Sequence, residues 1–200
     1  MLGLPKATEV NKLLPKKAIY AKFQMNTAAK DKVDEDISRI TIVNELSPAR
    51  VNLAEGENVK SFFVMNVSLK KKNFSESTIA MVSKLIPQNI LMVLEHEEVA
   101  RLAVYHTKLI QTEWMPKEEL SVELKGFDLD AVWENIIIQV GGIRMEQGHS
   151  LDEQIALDEK RAKIQKEIDR LEKLARAEKQ PKKKFELVQQ IRKIKEDVEV

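Results

Sequence analysis

The chain contains no cysteine, and that absence removes a disulfide framework, a thiolate zinc site and a cysteine nucleophile together. Histidine is nearly as scarce, with three copies at His96, His106 and His149. None is spaced from another as H-x-x-x-H requires, so each reads as a surface histidine and no metal-ligand set is expected. Long apolar runs are missing as well. Nothing approaches the roughly 18 uninterrupted apolar residues of a spanning helix, and no membrane partner is expected. The segment from Met1 to Lys17 has lysines but no continuous apolar region, which speaks against a secretory signal. No G-x-x-x-x-G-K phosphate loop, G-x-G-x-x-G turn or G-x-S-x-G elbow occurs. No cofactor is therefore expected, a non-catalytic role is favoured over an enzyme, and the compartment expected is the cytoplasm.

What is present is a globular composition tilted toward helix and surface charge: 43% apolar and 32% charged residues. That mixture excludes collagen, a disordered acidic tail and a membrane channel. At 200 residues there is room for one sizeable domain plus an appendage. The net charge of +1 conceals a strong asymmetry. Residues 1–159 hold 19 Lys/Arg against 24 Asp/Glu, whereas residues 160–195 hold 14 against 5. A mildly acidic body thus carries a basic tail, the asymmetry expected where the tail meets an anionic partner.

Periodicity predicts an α+β body over residues 1–148, with a mainly antiparallel sheet packed by helices. A short helix opens at Thr8, with Val10, Leu13 and Leu14 on one side, and ends at Pro15. Thr27 caps a second helix running to Ser38, on which Val33, Ile37 and Ile40 recur at helical spacing. Strands follow over 39–46 and 59–69, and then a helix over 75–86, stopped by Pro87. The continuous apolar run Ile90 to Leu94 reads as a buried central strand, with residues 99–110 as its hairpin partner. Asp128 or Asp130 caps a helix striped by Val132, Trp133, Ile136, Ile137 and Val140, which Gly141-Gly142 closes. Trp114 and Trp133 are expected in the core.

The texture changes over 149–200. Ser150 and Glu153 have capping-box spacing. Leu157, Ile164, Ile168, Leu171 and Ala175 follow coiled-coil-like spacing, with Arg161 at one core position. Leu187, Ile191, Ile194 and Val198 repeat beyond Pro181. Two amphipathic helices joined at Gln180-Pro181 predict an antiparallel hairpin. Each apolar seam must face the other helix or a third surface. Ile164, Ile168, Leu171, Leu187, Ile191 and Ile194 are accordingly candidates for a partner interface, unless they pair among themselves.

Two patterns suggest more specific chemistry. Glu123-Leu124-Lys125, on a strand-like segment, matches the E-x-K of metal-dependent nucleases, where an acidic residue holds magnesium and a lysine orients water. Glu95 or Glu113 could supply the upstream acid, although Asp158-Glu159-Lys160 fits the same loose triplet. Around the turn of the hairpin, Lys173, Arg176, Lys179, Lys182, Lys183 and Lys184 could neutralise phosphates non-specifically. Phe185 is the only aromatic residue nearby, so a stacking platform for single strands is missing.

Four strings carry a resemblance: residues 14–23 (LPKKAIYAKF), 36–40 with 43–48 (DISRI, VNELSP), 86–88 (IPQ) and 171–180 (LEKLARAEKQ). In this order the chain resembles, over nearly its whole length, the bacterial domain-of-unknown-function family numbered 4391. The resemblance supplies no catalytic motif. It implies an association with DNA processing, because members are often encoded beside helicases and DNA methyltransferases in mobile or defence-associated regions. The expected function is therefore a non-catalytic accessory protein docking to such an enzyme. Direct nucleic-acid binding through the basic hairpin tip is the first alternative, and a metal-dependent nuclease the second.

Overall fold

The computed structural model describes residues 2–198 and divides into two compact units, Met1–Arg144 and Met145–Val200. In the first unit the strands β1 (Glu9–Leu14), β2 (Ile37–Leu46), β3 (Phe62–Leu69), β4 (Asn89–His96), β5 (Val99–Tyr105) and β6 (Leu109–Gln111) lie in sequence order across one sheet. The short β7 (Met115–Pro116) pairs with β5 beside β6. All neighbours are antiparallel except β3 and β4, which run parallel from Phe62↔Asn89 to Ser68↔Glu95. A parallel pair needs a crossover rather than a hairpin, and the segment containing α4 (Glu76–Val82) provides it. The remaining helices of this unit are α1 (Lys16–Lys22), α2 (Thr27–Asp36), α3 (Pro48–Val51) and α5 (Leu129–Gly141). The α+β class and the predominantly antiparallel sheet agree with the sequence.

Helices cover both faces of the sheet. On one face Ile19, Val33, Ile79 and Val82 of α1, α2 and α4 share a core with Ile40, Met65, Val67, Met92 and Leu94. On the other, Trp133 of α5 meets Phe62 with ring centroids 5.2 Å apart. β4 needs cover on both sides because Ile90 to Leu94 are all buried. Burial of each such side chain contributes about 1.5–3 kcal/mol. Trp133 is thus a core residue. Trp114 is half-buried, with the Arg101 guanidinium 4.5 Å from its ring and Phe74 edge-on to it.

Several expected elements differ. The helix expected from Thr8 is a 3-10 turn, Lys6–Thr8, followed by β1. Val10 and Leu14 pack on the core while Leu13 is 55% exposed. A four-residue separation places side chains on one face of a strand as well as of a helix. The second helix is capped by Asn26, whose Oδ1 accepts the Ala29 N–H at 2.9 Å, and it ends at Asp36 rather than at Ser38. Ile37 and Ile40 belong to β2, where a register shift between Ile37 and Arg39 turns residues three apart toward one core. That bulge imitates the helical period. The expected helix over 75–86 stops at Val82, and the hairpin partner over 99–110 is broken into β5 and β6, which folds back antiparallel along β5.

The two candidate caps of α5 divide the work. Asp128 caps it, its Oδ1 accepting the Ala131 N–H at 2.8 Å, and Gly142 ends it in the left-handed region. Asp130 instead accepts the backbone N–H groups of Glu57 (2.8 Å), Asn58 (3.1 Å) and Val59 (2.6 Å), fastening the β2–β3 connection to α5. Gly56 permits that approach, since a Cβ there would stand 2.8 Å from the Asp130 backbone nitrogen.

The donors from Asn58, Val59 and Glu57 hold the Asp130 carboxyl below its ordinary range. A depressed folded-state value stabilises the protein above the unfolded value of about 3.9, and the contribution fades as pH falls through the folded value. Asp130→Asn should therefore lower the melting temperature at pH 7, with the gap to wild type closing below about pH 4. Gly56→Ala should weaken the same clamp, so the double variant should lose less than the sum of the singles. Thermal melts across pH check both.

Candidate functional site

The second unit is built on α6 (Leu151–Ala177) and α7 (Pro181–Val198). The capping box at the start of α6 is formed. Glu153 accepts the Ser150 N–H at 2.8 Å, and the Ser150 hydroxyl accepts the Glu153 N–H at 3.4 Å. At the turn, Glu178 leaves the helix in an extended conformation and its carboxylate accepts the Gln180 N–H at 2.8 Å. Pro181 then opens α7, where its missing N–H costs nothing.

The two helices form an antiparallel hairpin whose seam closes on itself. Ile168, Leu171 and Ile191 are buried together, and Ile164, Leu187 and Ile194 pack against them. The side chain of Val198, expected to extend this row, lies outside the described residues. All six candidate interface residues thus serve the hairpin's own packing. Arg161, expected at a core position, is exposed and pairs with Glu146. Lys195 reaches Glu172 across the helices at 3.3 Å, and Arg170 pairs with Glu167 at 2.7 Å. Exposed pairs of this kind each contribute under about 1 kcal/mol, so the seam is what joins the helices.

A different apolar set is left uncovered. Leu174, Phe185 and Val188 are 47%, 63% and 49% exposed. Phe185 and Val188 stand three residues apart, hence on neighbouring faces of α7 away from the seam. Beside them, Lys173, Lys179, Lys182, Lys183 and Lys184 have no carboxylate partner among the described residues, whereas Arg176 is 3.6 Å from Glu172. An open cleft of about 620 Å³ at the turn is lined by Leu174, Ala177, Leu187, Lys179 and Lys183 together with Glu178 and Glu186, and Phe185 and Val188 lie outside it. Apolar side chains rimmed by ammonium groups can meet an apolar surface bordered by carboxylates, and the ammonium groups alone can meet phosphates.

The E-x-K candidate lies differently. Glu123 and Lys125 belong to a segment outside any strand or helix, not to the strand-like element expected. Their side chains pair with each other at 2.5 Å and are about two-thirds exposed. The Lys125 hydrogen bond draws the Glu123 carboxyl below its usual range. The Gln139 amide holds the backbone, donating to the Glu123 carbonyl at 2.8 Å and accepting its N–H at 3.0 Å. Glu95 stands in β4 opposite Ala100, and the charge of Glu113 acts on Arg101. No group of three or more His, Asp or Glu that could hold a metal occurs among the described residues. No helix among them is long and apolar enough to cross a membrane.

The sequence reading passed over a basic groove in the first unit, where Lys22 and Lys84 line one cavity with Tyr105, Gln88 and Asn89. Its walls come from separate segments, and the only linear signal was the position of Lys22 and Gln88 inside two of the strings that carry the family resemblance.

Burying a carboxylate in the hairpin seam costs on the order of 3 kcal/mol or more. Ile168→Asp and Ile191→Asp should each melt the hairpin, read as lost helical ellipticity at 222 nm. Unchanged ellipticity would show that the seam is not what joins α6 and α7.

A family model described as Domain of unknown function (DUF4391) matches residues 2–198 of the chain. No curated protein and no solved structure matches it.

Proposed function

Since the chain belongs to the DUF4391 family, whose description names no activity, we propose from its geometry that it is a non-catalytic accessory protein. It docks through the hairpin onto a larger DNA-processing enzyme, a helicase or a methyltransferase, in the cytoplasm, as part of phage defence in the sense that the gene neighbourhoods of the family imply. The observation that carries this reading is the pattern of exposure on the hairpin. The seam is satisfied internally, yet Phe185 and Val188 remain in water on the helix that carries the unpaired Lys182, Lys183 and Lys184. Exposed aromatic and aliphatic side chains at the centre of a charged rim are the usual anchors of protein interfaces. The charge of the tail favours a partner surface bordered by carboxylates.

Phe185→Asp combined with Val188→Asp should abolish co-purification of the partner from nuclease-treated native lysate while leaving helical ellipticity unchanged. The seam is untouched by these substitutions, so retention of the partner by the folded double variant would sink the docking reading. A chain ending at Arg144 should likewise retain no helicase or methyltransferase.

The unpaired lysines of the tip support a second reading, direct binding of nucleic acid. Each phosphate neutralised on duplex DNA steepens the salt dependence by about 0.9 in the log–log slope. Charge reversal at Lys182, Lys183 and Lys184 should therefore weaken binding and flatten that slope by up to about 3. A binding curve that does not respond to the triple substitution removes this reading.

A further inference from the structure

Three shallow cavities of the first unit adjoin one another by sharing walls. The first, of about 260 Å³, is aliphatic: Leu14, Pro15, Ala18 and Ile19 around the start of α1 face Leu85 and Ile86 beyond α4. Lys22 and Ile86 continue into the second, of about 280 Å³, with Lys84, Gln88, Asn89 and Tyr105. Pro87, Gln88 and Asn89 lead on to the third, of about 230 Å³, which contains Lys60. Taken together the groove is of the size that small-molecule ligands occupy. No carboxylate lines any of the three, although 32 of the 200 residues are Asp or Glu.

The cations are placed but not neutralised. The Lys22 ammonium donates to the Leu85 carbonyl at 2.6 Å, which leaves two of its three donors for a ligand. The Lys84 ammonium lies 4.5 Å from the centroid of the Tyr105 ring, a weaker partner than an anion would be. Lys60, by contrast, is engaged by Glu55 at 3.4 Å and by the Gly56 carbonyl at 2.9 Å. The wall carrying Lys22 is fixed from behind. Lys16 of α1 pairs with Asp34 and donates to the Ile37 carbonyl at 3.0 Å, and the Tyr20 hydroxyl donates to Asp34 at 2.6 Å.

Two ammonium groups beside the aliphatic wall of Ile86 fit a phosphate ester bearing a partly apolar body. The side-chain amides of Gln88 and Asn89 both donate and accept, which suits the polar edge of a heterocycle and offers nothing to an acyl chain. We infer that this groove binds a nucleoside monophosphate unit, its phosphate between Lys22 and Lys84, its base over Ile86 and the polar edge of that base at Gln88 and Asn89. The unit is either a free nucleotide or the 5′-terminal residue of a single strand. The inference is independent of the hairpin and stands or falls apart from the docking reading.

The test uses the full chain, with methyl and aromatic NMR signals followed during titration with AMP, inorganic phosphate and a 5′-phosphorylated oligothymidine. AMP should bind saturably and move the Ile86 and Ile90 methyl signals and the Tyr105 ring signals. Lys22→Gln with Lys84→Gln should weaken it about tenfold or more, each lost charge-assisted hydrogen bond contributing. Gln88→Ala with Asn89→Ala should weaken AMP but not inorganic phosphate, in a chain whose methyl spectrum shows it folded. Charge reversal of Lys182, Lys183 and Lys184 should leave AMP binding unchanged. Tighter binding of the oligonucleotide than of AMP at the same signals identifies a strand end, and the reverse order a free nucleotide. The inference is overturned if AMP moves none of these signals, if inorganic phosphate binds as tightly as AMP, or if the paired lysine substitutions have no effect.

Discussion

The first unit is organised by the need to keep water from both faces of β4. Five consecutive apolar residues, Ile90 to Leu94, send side chains alternately to opposite sides of the sheet, and all five are buried. One helix could cover only one side. The chain therefore places α1, α2 and α4 over one face and α5 over the other, where Trp133 closes against Phe62. The same requirement sets β4 inside the sheet between β3 and β5. Reaching that place alongside β3 in parallel takes a crossover, and the crossover brings α4 and the Ser83–Gln88 loop past α1.

Polar clamps then fix what the apolar packing leaves loose. Asp130 gathers three backbone donors of the β2–β3 connection, and only a residue without a side chain fits at Gly56 against it. Asp36, 3% exposed, accepts the Ser75 N–H at 2.9 Å and pairs with Lys71 at 3.1 Å, which ties the start of α4 to the end of α2. Asp34 does the same for α1 through Lys16 and Tyr20. Burial, helped by the hydrogen bond to Asp34, pushes the Tyr20 hydroxyl up to about 12, so it stays protonated as a donor. Each clamp joins segments far apart in the chain, and the basic groove lies on the far side of the helix that the Asp34 clamp holds.

The hairpin follows a simpler logic. Two amphipathic helices of this width can satisfy their seams only on each other or on a partner, and here they do so on each other. What remains outside is then informative, because Phe185 and Val188 contribute nothing to that seam and still face water. Salt between the helices adds little, so the hairpin's surface charge is free to be shaped by what it meets.

The α+β class, the buried β4 run, the α5 stripe and the helical hairpin were all legible in the sequence, because each depends on a period repeated within one segment. Capping was legible at Ser150 and narrowed to Asp128 or Asp130 at α5, but at α2 the cap is Asn26 and not Thr27. The edge strand β1 and the start of β2 were not. There a four-residue spacing that strand and helix share, and a bulge that turns Ile37 and Ile40 to one side, imitate the helical period, and only pairing with a neighbouring strand distinguishes the two. Nor could the sequence decide whether Ile168 and Ile191 face each other or a partner, since an apolar stripe does not specify what covers it. The role of Asp130 and the meeting of Lys22 with Lys84 were settled by tertiary structure alone. Both join residues more than 60 positions apart, and no local pattern records a contact that exists only once the sheet has brought its connections together.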